Sequence, residues 1–109
     1  MNDKELADRV VELGVAKRFP DEKEWWIYSL NDIGPNGQIA RQFVRDWRVA
    51  GALMEKAEAV YLEALVQDCL ESVGSAWQAQ TSINAMPTEW IDSISAPRAI
   101  IEACVEALS

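Results

Sequence analysis

Apolar and polar positions alternate along this chain with periods that change several times, and each change marks an element. From the amino terminus, Leu6, Val10 and Leu13, widened by Ala7 and Val11, fall on one stripe of a helix, with Lys4, Asp8, Arg9 and Glu12 directed to water. Asn2 or Asp3 is placed to cap it, Glu5 completes a capping box from Asn2, and Gly14 is a natural stop. Val15 to Lys23 reads as a connector with a turn at Pro20-Asp21. Glu24 to Leu30 is rich in aromatic and branched residues and predicts a strand, with Trp25, Ile27 and Ser29 on one face and Trp26, Tyr28 and Leu30 on the other. Asn31 to Gly37 is a run of turn formers, with Asn36 placed to cap the next helix.

The clearest helical pattern runs from Gln38 to Lys56, where Ile39, Phe43, Trp47, Ala50, Met54 and Ala57 recur every three or four residues. This spacing predicts one helix with Phe43 and Trp47 in the core. Glu58 to Cys69 alternates as a strand, with Val60, Leu62, Ala64 and Val66 opposite Tyr61, Glu63 and Gln67. Its residues also have good helix propensity, so two readings stand: a strand from about Ala59 to Leu70, which we favour, or one helix running on from Gln38 to about Ser72. Ser72 to Ser75 forms a hairpin-like turn, and Trp77, Ala79, Thr81 and Ile83 then alternate with Gln78, Gln80 and Ser82 as a strand with one wet face. Asn84 to Ile94 reads as a longer loop. A last helix starts near Ser95, tolerates Pro97 in its first turn, and carries Ala96, Ile100, Ala103, Cys104, Ala107 and Leu108 on an apolar face, with Glu102 and Glu106 outward. An apolar sheet face needs cover and amphipathic helices supply it. The expected fold is therefore α+β: one domain over residues 1–109 with a small antiparallel sheet of about three strands covered by two or three helices, an α/β/α-type sandwich.

Composition changes this picture mainly through charge. The 109 residues carry a formal charge of −8 and include no histidine. Such a chain is repelled by phosphate backbones and anionic lipid, so nucleic acid and membranes are disfavoured as partners. A protein with a basic surface is favoured, and a homodimer is compatible with the sequence. No apolar run approaches a membrane span, and the charged amino terminus is unlike a secretory signal, which points to a cytoplasm. Without histidine, Ser-His and Cys-His nucleophile pairs are excluded. Cys69 and Cys104 alone do not make a zinc site and read as reduced, buried thiols. No phosphate-binding glycine loop or calcium loop occurs, so neither cofactor, metal nor catalytic residue is expected.

Two groups of residues remain as candidates for contact. Arg41, Arg45 and Arg48 lie within about two turns of the central helix, with Arg98 able to join them in space. They suit an acidic partner or RNA, or else pair with this chain's own acids while their stems cover apolar surface. Trp25, Trp26, Tyr28 and Trp90 form the more promising contact surface, since exposed aromatic residues anchor interfaces.

The segment FVRDWRVAGALMEK (43–56) resembles the helix of small phage and prophage proteins, and SAPRAIIEACVEAL (95–108) resembles their carboxy-terminal Ala-Pro-Arg-Ala-Ile helix. Together they resemble the phage ABA sandwich domain family over roughly Gln38 to Leu108. The resemblance implies layers of helix, sheet and helix and a phage or prophage setting, and brings no catalytic residues. The expected function is that of an accessory protein binding a host or phage protein, for instance an inhibitor of a bacterial defence system such as an anti-CRISPR. The alternatives are a nucleic-acid-binding regulator using Arg41, Arg45 and Arg48, and a small-ligand sponge with an aromatic pocket.

Overall fold

A computed structural model describes residues 2–20, 26–31, 37–64, 77–83 and 86–108, with backbone alone for Pro20 and Trp26. The class is α+β, with four helices and two antiparallel sheets among the described residues. Helix α1 (Asp3–Glu12) starts at the expected capping box. The Asn2 side chain accepts the Glu5 N–H at 2.8 Å and donates to the Glu5 carboxylate at 3.2 Å. The helix ends at Gly14, whose φ of +85° is open to glycine at little cost. Asn31 fixes that corner by donating from its side chain to the Gly14 carbonyl at 2.9 Å.

The residues expected as a connector form β1 (Ala16–Pro20), which pairs with β2 (Trp26–Leu30), and β2 pairs in turn with β3 (Gln38–Ile39). The connector reading fails because Lys17 and Arg18 give β1 a polar edge in place of strand composition. Cross-strand pairing sets Phe19, Ile27 and Ile39 level on the outer face, and Gly37 passes so close to Ile27 Cγ2 that any β-carbon would collide with it. Tyr28 points inward, fully buried, with its ring 5.5 Å from that of Phe43.

The single helix expected from Gln38 is two helices, α2 (Ala40–Phe43) and α3 (Trp47–Met54). Asp46, in an extended conformation, breaks them apart and caps α3 by accepting the Arg48 N–H at 2.8 Å. The break resets the helical phase. Phe43, Val44, Val49, Ala50 and Leu53 are buried, whereas Trp47, expected in the core, and Ile39 and Met54 of the same apolar stripe are exposed.

Strand β4 (Ala59–Ala64) pairs with β5 (Trp77–Ile83), so the strand reading after α3 holds for residues 59–64. Residues 65–76, with Cys69 and the expected turn at Ser72–Ser75, lie outside the described residues, as do residues 32–36 with Asn36. The expected loop after β5 supplies two short strands, β6 (Met86–Pro87) and β7 (Ile91–Ser93), both paired with β5. Pro87 and the brevity of these strands hid them from the pattern.

Helix α4 (Ala96–Leu108) is the hub of the core. Its Ile100, Ile101, Ala103, Cys104 and Val105 are all buried, so more than one face is covered: β5 and β7 on one side, α3 and α1 on the other. Small residues at Ala99 and Ala103 allow this close packing. Each large apolar side chain so buried contributes about 1.5–3 kcal/mol. The Thr81 hydroxyl, buried on the inner face of β5, is 3.7 Å from Cys104 Sγ, and burial pushes the Cys104 thiol pKa up against the opposing pull of that contact.

Candidate functional site

The arginines of the central segment meet acids of this chain. Arg48 Nε and Nη2 hold the Asp46 carboxylate at 2.6–3.1 Å, and this pairing, with the backbone cap and a bond from Gln38, holds the Asp46 pKa down at about 2. Arg45 Nη1 donates to Asp3 Oδ2 at 3.1 Å and to the Arg41 carbonyl at 2.8 Å. Arg98 joins the same carboxylate from α4, donating from Nε to Asp3 Oδ1 at 2.9 Å and from Nη1 to Glu102 at 2.8 Å. Glu102, expected to look outward, is partly buried by this pair. Burial works to raise the Asp3 pKa, but hydrogen bonds from Arg98 and Arg45 outweigh it, so the carboxyl stays below its ordinary range. Arg41 is exposed and, among the described residues, joins no ion pair. The arginine stripe thus divides: Arg45 and Arg98 cross-link elements of the fold through Asp3, and Arg48 pairs locally with the cap of its own helix.

Of the aromatic candidates, Trp25 and the Trp26 side chain lie outside the described residues. Tyr28 is a core residue and leaves the contact surface: its hydroxyl donates to Asp8 at 2.7 Å, and burial with that bond pushes its pKa up to about 12. Asp8, expected to face water, accepts from Tyr28 and from Arg18 at 2.8 Å. Trp90 is 41% exposed.

Trp90 stands on the outer face of the β4–β5–β7 sheet, where the structure assembles a patch that sequence reading did not find. Helix α4 covers the face bearing Ala79 and Thr81, so Tyr61, Glu63, Gln78, Gln80 and Asp92 lie on the other. Register places Tyr61 opposite Gln80, and Glu63 opposite Gln78 opposite Asp92. Between β6 and β7 the pairing with β5 shifts by one residue, so Glu89 and Trp90 form a bulge opposite Gln80. Continuing the β5–β7 register one residue beyond Ala79–Ile91 sets Trp90 across from Gln80. The face therefore carries an aromatic row, Tyr61–Gln80–Trp90, beside an acidic row, Glu63–Gln78–Asp92. Gln78 Nε2 donates to Glu63 at 2.9 Å and Gln80 Nε2 to the Thr88 carbonyl at 2.9 Å, which fixes both glutamines. Tyr61 is 55% exposed.

Charge on this half of the chain is one-sided. No Lys or Arg occurs between Lys56 and Arg98, whereas Glu58, Glu63, Asp68, Glu71, Glu89 and Asp92 do. That gap was visible in the sequence, and it was the signal that could have located the patch; total charge alone concealed it.

Clefts also open among the described residues. One of about 350 Å³ is lined by Asp3, Arg45 and Arg98 and by Asp92 of the acidic row, and one of about 730 Å³ lies beside α3; Trp90 lines neither. Among the described residues no three His, Cys, Asp or Glu side chains gather as metal ligands would, and no helix is long and apolar enough to cross a membrane. No family model, curated protein or solved structure matches the chain.

Proposed function

We propose that this protein works by binding another protein, and that it docks the aromatic and acidic rows of its outer sheet face on a basic surface. The observation that carries this reading is the Tyr61–Gln80–Trp90 row lying beside Glu63–Gln78–Asp92 on a stretch of chain without cations. Exposed Tyr and Trp rings offer flat apolar area and the negative faces that attract guanidinium groups, and adjacent carboxylates accept from them. A sheet face held by strand pairing also loses little freedom on docking. The phage or prophage setting implied by the two helical segments makes an inhibitor that covers a basic, nucleic-acid-binding surface of a bacterial defence system the concrete form of this reading. Such a protein would act in the bacterial cytoplasm. Its surface would repel nucleic acid, and the pairing of Arg45, Arg48 and Arg98 with acids of the chain draws support away from a regulator that binds phosphate.

Calorimetric titration with an oligo-arginine peptide tests the chemistry. Tyr61→Ala with Trp90→Ala should weaken binding about tenfold or more, and Glu63→Gln with Asp92→Asn should flatten its salt dependence. Equal binding by wild type and both double variants would overturn the reading. Retardation of nucleic acid at low salt, abolished by Arg41→Ala, would replace it with the regulator.

A further inference from the structure

We infer that α3 pairs with α3 of a second copy of this chain, forming a two-fold dimer centred on Gly51. This surface is separate from the outer sheet face, so the proposal stands or falls independently of the protein-binding reading.

The starting observation is that α3 presents an uncovered apolar stripe. Trp47 is 57% exposed and Met54 41% exposed, on the same side of the helix, with exposed Gly51 between them. At about 100° per residue, Trp47 and Met54 lie to one side of Gly51 and Arg48 and Glu55 to the other. The four positions stand four before, three before, three after and four after Gly51. A two-fold axis that runs two such helices antiparallel through Gly51 sets like side against like side and reverses height. Trp47 then meets Met54 of the second copy, and Arg48 meets its Glu55; each contact occurs twice. The thioether–ring pairing and the opposite charges are both favourable, so the surface complements itself.

Three further features fit this occupant. A β-carbon built on Gly51 meets nothing within 4 Å, so the glycine is not required by packing within one copy. In a helix interior it is destabilising unless close approach needs it. Arg48 binds Asp46 through Nε and Nη2, leaving Nη1 outside that pair, and Glu55 joins no ion pair among the described residues. An open cleft of about 730 Å³ runs along the charged side of α3, between Arg48, Ala52 and Glu55 and the Gly14–Asn31 corner, and leaves room for the second helix.

Sedimentation equilibrium of the full chain tests the dimer. Wild type should associate reversibly. Gly51→Leu, which the monomer accommodates, should raise the dissociation constant at least about tenfold while circular dichroism and melting show the fold intact. Arg48→Glu and Glu55→Arg should each be monomeric alone, because like charges then face each other twice. Mixed together they should form a heterodimer, since the carboxylate introduced at position 48 of one copy then meets the guanidinium introduced at position 55 of the other. A wild type that stays monomeric into the high micromolar range overturns the inference. A dimer unchanged by Gly51→Leu, or a mixture that fails to associate, overturns the pairing centred on Gly51.

Discussion

Asp3 and Arg98 form a hydrogen-bonded ion pair at 2.9 Å across 95 residues of chain, tying the first turn of α1 to the first turn of α4. Arg45 adds a third element to the same carboxylate. The pair is no ornament, because Arg98 is 13% exposed and Asp3 accepts from its guanidinium beside Glu102.

Asp3→Ala should therefore destabilise the fold by about 1–3 kcal/mol, as read from urea unfolding, through loss of charge-assisted bonds to two arginines. A double-mutant cycle with Arg98→Ala should show a coupling of about 0.5–2 kcal/mol. Additive losses would mean that the two residues act separately.

Acid unfolding should depend on Asp46. Its pKa is lowered from 3.8 to about 2, so the native state binds its proton later than the unfolded chain does. The stabilisation is fully present above pH ~4 and is lost as pH falls toward 2, and it amounts to about 1–2 kcal/mol once the exposure of Arg48 is allowed for. Asp46→Asn keeps a side-chain oxygen at the cap of α3 and should lose this pH dependence. Asp46→Ala should lose the cap as well, at a further cost of about 1 kcal/mol. Parallel pH–stability curves for wild type and Asp46→Asn would disprove the assignment.

At the alkaline end the corresponding group is Tyr28. A phenol held protonated to about 12 stabilises the fold below its ordinary pKa of 10, and that contribution is lost as pH climbs from 10 to 12. Tyr28→Phe removes the hydroxyl from Asp8 and should cost about 1–2 kcal/mol at neutral pH. The absorbance change of phenolate formation should lose its latest-titrating step in this variant.

Glycine to alanine should change sign along the chain. Gly14→Ala, at positive φ, should destabilise by about 1 kcal/mol, and Gly37→Ala should destabilise by more, since its β-carbon collides with Ile27. Gly51→Ala, measured at low protein concentration, should stabilise by about 0.5–1 kcal/mol, because it adds helix propensity in open space. Thermal melts of the three variants give the comparison directly.

The elements that could be read in advance are those whose signals are local. The capping box from Asn2 to Glu5 and the stop at Gly14 specify α1 within a dozen residues. The alternation of Ala79 and Thr81 with Gln78 and Gln80 marked β5 and its wet face, and the pattern of residues 59–64 marked β4. The four arginines were legible as a group and as candidates for internal pairing, but Asp3 as the shared acceptor of Arg45 and Arg98 was not, because Asp3 and Arg98 stand at opposite ends of the chain. Trp90 is recognisable in the sequence as a contact residue; Tyr61, Glu63 and Asp92 are not, since only strand register puts them on one face.

What the amino-acid sequence determined by itself is the α+β class, the capped first helix, the β4 and β5 strands and an acidic chain without histidine, because each follows from period, turn chemistry or charge in a continuous stretch. The tertiary structure decided which faces are covered. One extended residue at Asp46 turned Trp47 and Met54 from the core to the surface, the closeness of β5 and β7 on one side and α3 and α1 on the other buried α4 on more than one face, and a one-residue register shift before β7 set Trp90 on the row of Tyr61 and Gln80. A hydrophobic period fixes which residues share a face, but only contacts between distant segments choose which face loses water.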